Sequence, residues 1–404
     1  MRVLLISQWY KPIKSPVKRM VRIAEFLAQN HEVTVLTSLP SYPTGILPPK
    51  YRHKLWVKEK DGPIEIIRVW DFPTPNRGLI RRSLNHFVFL TASCLAVLAM
   101  KPFEMVIVSS PNFFSGLAGI LAAKLGQGNF IFDVRDLWPD SATELGYLGS
   151  RPLIKILKRL EKIYYLRAKK IFTATAEIQQ TIIKMGIPEN KVIPLSNTVD
   201  INFFKPQEIS RKNFGFKNAD FLVIYVGSLT KVQNLQTVLE AAASLKKYPR
   251  IKFLMVGEGE DKENLINQAK KLGLSNIIFI DGQSSEQIVK LINAANVGLI
   301  SLTENKFFSD NALPTKTSEY LGCGKPIIAC AGKNLKELIE KNQAGKVVPP
   351  GASHRLAEEI LKLYHHPEIL KKYSRNARAL AVKEFSDSKF YRVLEKNLPA
   401  GRQA

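Results

Sequence analysis

No Asp-x-Asp triplet occurs among the 404 residues, so the usual carboxylate holder of a divalent ion is missing and no metal or other cofactor is expected. Cysteine is scarce. Cys94, Cys323 and Cys330 make neither a disulfide framework nor a metal-binding Cys-x-x-Cys, which favours a reducing compartment. There is no G-x-G-x-x-G followed by a ribose-binding acid, which argues against an NAD-dependent dehydrogenase. The longest apolar run, residues 87–100, falls short of the ~20 needed to cross a bilayer. Arg2 is followed by only Val3, Leu4, Leu5 and Ile6, too short for a signal-peptide core and better read as a first strand. Acidic side chains are also in deficit: 35 Asp and Glu stand against 59 Lys and Arg, a formal charge of +24. Such a balance suits anionic ligands or an anionic membrane. Without zinc-finger spacing, an arginine-rich tail or an RNP-like aromatic motif, nucleic acid is not an expected partner.

What is present is a long series of alternating strands and helices. At 404 residues two domains are the natural division. A strand at 3–6, a helix at 18–28 and a strand at 32–36 open the chain, the pattern of a parallel doubly wound sheet. The first turn, 10–17, carries Lys11 and Lys14, with Lys18 and Arg19 beyond, but no glycine. Residues 77–100 start with Arg77, Arg81 and Arg82 and become almost wholly apolar. They read as a core helix, or as a helix docked at a membrane interface with its arginines on headgroups; one exposed face would allow both. The strand at 129–134 runs into Arg135, Asp136, Leu137, Trp138 and Pro139. A charged pair directly after a buried strand sits at the edge where such sheets bind ligands. The competing explanation is a local ion pair that fixes the loop.

A second series begins near Lys205 and Pro206. Strands at 221–226 and 251–256 end at Gly227-Ser228-Leu229-Thr230-Lys231 and at Gly257-Glu258-Gly259, turns where backbone can approach a phosphate closely. The most informative stretch is Leu313-Pro314-Thr315-Lys316-Thr317-Ser318-Glu319, continuing through Gly322 and Gly324 to Pro326. It predicts a short helix with Pro314 at its first position and glycines ending it by positive φ. Free N–H groups and the dipole at its start suit an anion, Lys316 adds a cation, and Glu319 shares the face one turn deeper. A diphosphate beside sugar hydroxyls would satisfy that pairing, although a surface helix with one Lys/Glu pair accounts for the same residues. Helices at 356–364, 369–382 and 387–397 close the chain.

The order of these pieces resembles the GT-B glycosyltransferases of family 4, and among them the bacterial surface-polysaccharide transferases similar to L-fucosamine transferase. The likeness covers nearly the whole chain: His31-Glu32-Val33-Thr34-Val35, Arg135 to Pro139, Asn197-Thr198-Val199-Asp200, Tyr225 to Leu229, Val256 to Gly259, and Pro314 to Pro326. It implies an α/β fold of two Rossmann-like doubly wound domains facing across a cleft. Residues 1–204 would be the acceptor domain, 205–386 the nucleotide-sugar donor domain, and the helix 387–397 would cross back to the first. The implied activity is metal-independent transfer from a UDP- or GDP-sugar to a lipid-linked or glycan acceptor, with retention, at the cytoplasmic face of the plasma membrane. Gly227, Ser228, Lys231, Gly257, Glu258, Leu313, Pro314, Thr315, Lys316 and Glu319 are the expected donor-binding residues. Asp136 is the expected acceptor base, with Arg135 as its partner and Asp133 as second choice. The sequence departs from the family at the first acid of Glu-x7-Glu, where Asn311 stands, and at two basic positions that fall on Ser228 and Gln233. The glycine-rich first loop of many relatives is replaced by Ile13-Lys14-Ser15-Pro16. A nucleotide-sugar epimerase of the same architecture and a catalytically silent membrane scaffold are the rival assignments.

Overall fold

The structure, a computed structural model, describes the whole chain except residues 13–17, 43, 75–78, 111, 145 and 400–404. Lys14 and Arg77, with Ile13, Ser15 and Pro16, therefore lie outside the described residues, as do the side chains of Lys18 and Arg82. The chain divides into two compact units, Met1–Ser196 with the segment from Tyr391 onward, and Asn197–Phe390.

The first unit is built on β1 (Arg2–Ile6), β2 (Glu32–Ser38), β3 (Trp56–Asp61), β4 (Ile64–Val69), β5 (Met105–Ser109), β6 (Asn129–Val134), β7 (Lys170–Thr173) and β8 (Val192–Pro194). Their spatial order is β3-β4-β2-β1-β5-β6-β7-β8. All neighbours are parallel except β3, which pairs antiparallel with β4 at the edge. Leu4, Leu5, Ile6, Val106 and Ile107 are fully buried, as expected of central strands covered by helices on both faces. The charged edge strand β3, whose Lys58, Glu59 and Lys60 alternate with little apolar content, was not foreseen from the sequence.

The second unit contains β9 (Phe221–Val226), β10 (Ile251–Val256), β11 (Ile277–Ile280), β12 (Val297–Ser301), β13 (Ile327–Cys330) and β14 (Gly345–Val348). They form one parallel sheet in the order β11-β10-β9-β12-β13-β14. Successive residues of β9 feed opposite cores: Leu222, Ile224 and Val226 enter one, and Phe221, Val223 and Tyr225 the other. The segment after Asn197 is stapled here by Arg378, which donates to Phe204 O (3.0 Å), Gly322 O (2.7 Å) and Ile201 O (3.0 Å).

Within each sheet, taken by itself, the parallel strands place their carboxyl ends, and the turns after them, along one edge. Gly227, Ser228, Lys231, Gly257 and Glu258 lie in turns just beyond such an edge, Arg135 and Asp136 follow β6, and Lys316 is in the first turn of the helix Thr315–Gly322.

Candidate functional site

The donor-side residues gather around the turns after β9 and β10. Gly227 follows β9 with φ +142, and its N–H donates to Val256 O (3.0 Å); Gly257 follows β10 with φ +147 and donates to Ile280 O (2.9 Å). The two turns touch backbone to backbone. A Cβ on Gly257 would lie 2.0 Å from Gly227 O, and one on Gly259 would lie 2.1 Å from Leu229 O. Glycine is thus required here by close approach as much as by φ. Ser228 and Lys231 are exposed in the turn after β9, and Lys231 opens a short 3-10 turn. Glu258 is exposed and receives the Gly282 N–H (3.0 Å) and Lys262 Nζ (2.9 Å), which together hold its pKa down.

The helix expected near Lys316 runs Thr315–Gly322. Pro314 is its N-cap residue rather than its first helical one: ψ 142 keeps it extended, and the rigid ring ends the preceding loop. Gly322 lies inside the helix without positive φ. Its small size is needed because a Cβ would meet Phe204 O at 2.9 Å; the left-handed φ, +66, belongs to Gly324 alone. Leu313 packs on the core, and Thr315 is exposed with its carbonyl accepting the Ser318 hydroxyl (2.9 Å).

Lys316 is the centre of the site. Its ammonium stands 3.6 Å over the Tyr225 ring, donates to Gln233 Oε1 (3.3 Å), and would lie 2.9 Å from a Cβ on Gly227. Desolvation lowers its pKa to about 7, with the Glu319 carboxylate pulling weakly the other way. The residue as a whole keeps some exposure, but the ammonium itself is packed onto the ring and the glycine turn. The Tyr225 hydroxyl is 2.7 Å from Ser228 O, so the ring that faces the lysine also fixes the turn. Tyr320, fully buried, accepts the Val226 N–H (2.7 Å) and locks the helix to the end of β9. Tyr225 and Tyr320 were missed from sequence; both look like ordinary core aromatics there. Asn311 donates its amide to Phe307 O (2.7 Å) within the helix Lys306–Asn311.

On the first unit, Asp133 is the penultimate residue of β6 and is fully buried. Arg19 Nε donates to its Oδ1 (2.8 Å), Arg19 Nη2 joins the same oxygen, and the Ser109 hydroxyl donates to Oδ2 (3.1 Å). Arg19 also reaches Leu195 O. Asp133 is therefore the counter-ion of a buried arginine, with no face turned to an incoming hydroxyl. Asp136 is exposed, and the Ser110 hydroxyl, itself held by the Arg135 N–H (2.8 Å), lies 3.5 Å from its Oδ1. The Arg135 guanidinium is held below its usual pKa by desolvation and by Arg19, and Asp133 and Asp136 oppose that shift. Lys11 is engaged by Glu25 (2.8 Å) and Asp61 (3.0 Å), so it anchors the first loop.

Two parallel doubly wound units, one with a desolvated lysine at a helix start beside glycine turns, define a GT-B protein. The family described as "Glycosyl transferases group 1" matches residues 206–380, and the family "Glycosyl transferase 4-like domain" matches residues 16–198. WcaI of Escherichia coli K12, a glycosyl transferase assigned by name to colanic acid biosynthesis, is 24% identical over 355 residues, 84% of this chain and 86% of that one. Alpha-monoglucosyldiacylglycerol synthase of Acholeplasma laidlawii is 23% identical over 93% of this chain and 92% of its own. Among solved structures, Anabaena HepE in complex with UDP-glucose superposes with a TM-score of 0.71 at 18% identity, over 98% of this chain and 99% of that chain. The chain belongs to the group 1, family 4-like glycosyltransferases.

Proposed function

We propose that this glycosyltransferase moves a sugar from a nucleotide-sugar donor to a lipid-linked or other glycan acceptor in surface-polysaccharide biosynthesis. The proposed transfer needs no divalent ion and retains the anomeric configuration. The observation that carries the donor assignment is the Lys316 ammonium, desolvated on Tyr225 beside the Gly227 turn at the start of a helix. A diphosphate seated there would meet the helix N–H groups and a cation with few competing partners, the preorganised electrostatics that stabilise a departing anion. Glu319, one turn along, is assigned to the ribose hydroxyls. Gly227, Ser228, Lys231, Gly257, Glu258, Leu313, Pro314 and Thr315 line or shape the same edge. The binding of UDP-glucose by HepE, which shares the fold, supports a UDP-sugar as the first donor to test.

For the acceptor, Asp136 is the assigned base. The acceptor oxygen bonds to the anomeric carbon on the same face from which the diphosphate leaves, so configuration is kept, and as the carbon–diphosphate bond breaks the acceptor proton passes to its carboxylate. The Ser110 hydroxyl, 3.5 Å from that carboxylate and held by the Arg135 N–H, and the opposite charge of the Arg135 guanidinium are its surroundings. The proposed location is the cytoplasmic side of the plasma membrane, held peripherally; no described helix is long and apolar enough to cross a bilayer.

Titration calorimetry with UDP and with GDP tests the donor site. Lys316→Ala and Glu319→Ala are each expected to weaken the better nucleotide about 10–100-fold, the loss of one charge-assisted contact. Equal affinity for wild type and both variants would refute the assignment.

A further inference from the structure

A second polar hollow lies on the first unit, walled by Trp9, Ser41, Tyr42, Asp71, Asn85 and His86. Trp9 follows β1, Ser41 and Tyr42 follow β2, and Asp71 follows β4; Asn85 and His86 come from the helix Leu79–Ala99. All therefore stand at the sheet edge that also carries Asp136.

The chemistry centres on Asp71, which is only 1% exposed. Its Oδ2 accepts Asn85 Nδ2 (2.9 Å) and Gln8 Nε2 (3.3 Å). Gln8 Oε1 in turn accepts Asn112 Nδ2 (3.0 Å), so the carboxylate's orientation is fixed from three strand ends. Its Oδ1 is buried with no hydrogen-bond partner. Burial raises the Asp71 pKa to about 6, against hydrogen bonding from Asn85, Gln8, its own backbone N–H and the Ser38 hydroxyl, whose oxygen also lies 2.6 Å from Gln8 O. A buried carboxylate oxygen without a donor is costly and normally has a partner. The hollow beside it measures about 20 Å³, room for one water-sized group. At its mouth the half-buried Trp9 and Tyr42 rings lie 4.6 Å apart at 36°. Aromatic faces pack well on the C–H faces of a sugar ring while their polar tips stay wet. Among the described residues no lysine or arginine lines the hollow, whose walls are neutral apart from Asp71 and His86.

We propose that this hollow is an acceptor subsite: a neutral glycosyl unit stacks on Trp9 and Tyr42 and donates one hydroxyl to Asp71 Oδ1. The phosphate or lipid end of the acceptor then lies away from it. The assignment rests on the glycosyl-transfer activity proposed above and adds the part of the acceptor that is recognised.

The test uses the full chain and a panel of methyl glycosides (gluco, galacto, manno and N-acetylgluco), read by saturation-transfer NMR, with UDP calorimetry run in parallel. At least one glycoside is expected to bind, and Trp9→Ala and Asp71→Asn are each expected to weaken it about tenfold or more with UDP affinity unchanged. The analogue deoxygenated at the seated hydroxyl is expected to lose binding further, because the buried oxygen is then left unpaired. Should Asp71→Asn fail to fold, Trp9→Ala decides alone. Glycoside binding that both variants leave intact, or no glycoside bound by protein that binds UDP, overturns the subsite and leaves Asp71 with a resident water only. Protein that binds glycosides but neither UDP nor GDP overturns the donor assignment instead and leaves the subsite standing.

Discussion

Asp133 and Asp136 belong to one short stretch of chain, yet their surroundings give them different work. Asp133 neutralises Arg19 in the core, while Asp136 stands in the open beside the Ser110 hydroxyl. Removing one partner of a buried ion pair leaves the other charged and desolvated, which costs about 3–5 kcal/mol. Asp133→Asn is thus expected to lower the melting temperature sharply in a calorimetric scan. Asp136→Asn is expected to leave the melting temperature in place and reduce kcat by ~10²–10⁴ in a transfer assay, the range for a lost general base. The reverse pattern would move the base to Asp133. Lys316 carries a second prediction at this scale. Desolvation puts its pKa at about 7, so the charge is lost as pH rises through neutrality, and a diphosphate bound beside it is expected to draw the proton back. Affinity for UDP-glucose is expected to fall between about pH 6 and about pH 8.5, by up to about tenfold per unit above 7, with proton uptake on binding. The sign for folding is opposite. The unfolded lysine, at 10.5, binds more protons than the folded one, so this group makes the unliganded protein more stable as pH rises from about 7 to 10.5. Calorimetry in buffers of different ionisation heat measures the uptake, and a flat pH profile lost with Lys316→Ala would show that the ammonium stays charged throughout.

The elements differ in how plainly they can be read. Strands buried on both faces, such as β1, β5 and β9, are uninterrupted apolar runs, and amphipathic helices such as Arg151–Arg167 show their spacing. The hairpin β3–β4 was not legible, because β3 sits at an edge and alternates charge with charge. The position of Lys316 at a helix start could be read off the Pro314-Thr315-Lys316 order. Its desolvation could not, because the ring beneath it comes from β9, far away in the chain. The Asp71 network escaped for a similar reason: it joins residues beyond β1, β4 and β5, and only the sheet order brings them together. The glycine turns show what sequence and structure each contribute. Glycine after a strand is common for steric reasons, and only the fold reveals that Gly257 presses on the Gly227 carbonyl. Gly257→Ala is therefore expected to cost on the order of 2–3 kcal/mol from strain and displaced backbone, and to weaken UDP binding because the Gly227 turn must move. Thermal unfolding and calorimetry on the same sample check both effects. An unchanged melting temperature would show that the two turns are loose.

At the scale of the whole molecule, the excess of positive charge and the exposed apolar residues of the first unit bear on one question, where the enzyme works. The helix Leu79–Ala99 buries Phe89, Ala96 and Val97 but exposes Leu95 (69%) and Leu98 (60%), along with Phe87 and Leu84. It is at once a core helix and an apolar outer face, and Arg81 is exposed near its start. The helix Arg151–Arg167 exposes Ile156, Ile163 and Leu166 among Lys155, Arg159 and Lys162. Apolar side chains in a basic surround are the composition of an interfacial helix, in which hydrophobic insertion and attraction to anionic lipids act together. The electrostatic part is worth about 1 kcal/mol per basic residue near the surface and decays within a Debye length of ~10 Å at moderate salt. Pelleting with phosphatidylglycerol-containing vesicles is accordingly expected to retain the protein at low salt and release most of it at high salt, while neutral vesicles retain little. Replacing Leu95 and Leu98 together by serine is expected to weaken retention at every salt concentration without changing its salt slope, because insertion is lost and the charges remain. Retention that ignores both salt and these leucines, or no retention at low salt, would place the acceptor's delivery to the enzyme on some basis other than this surface.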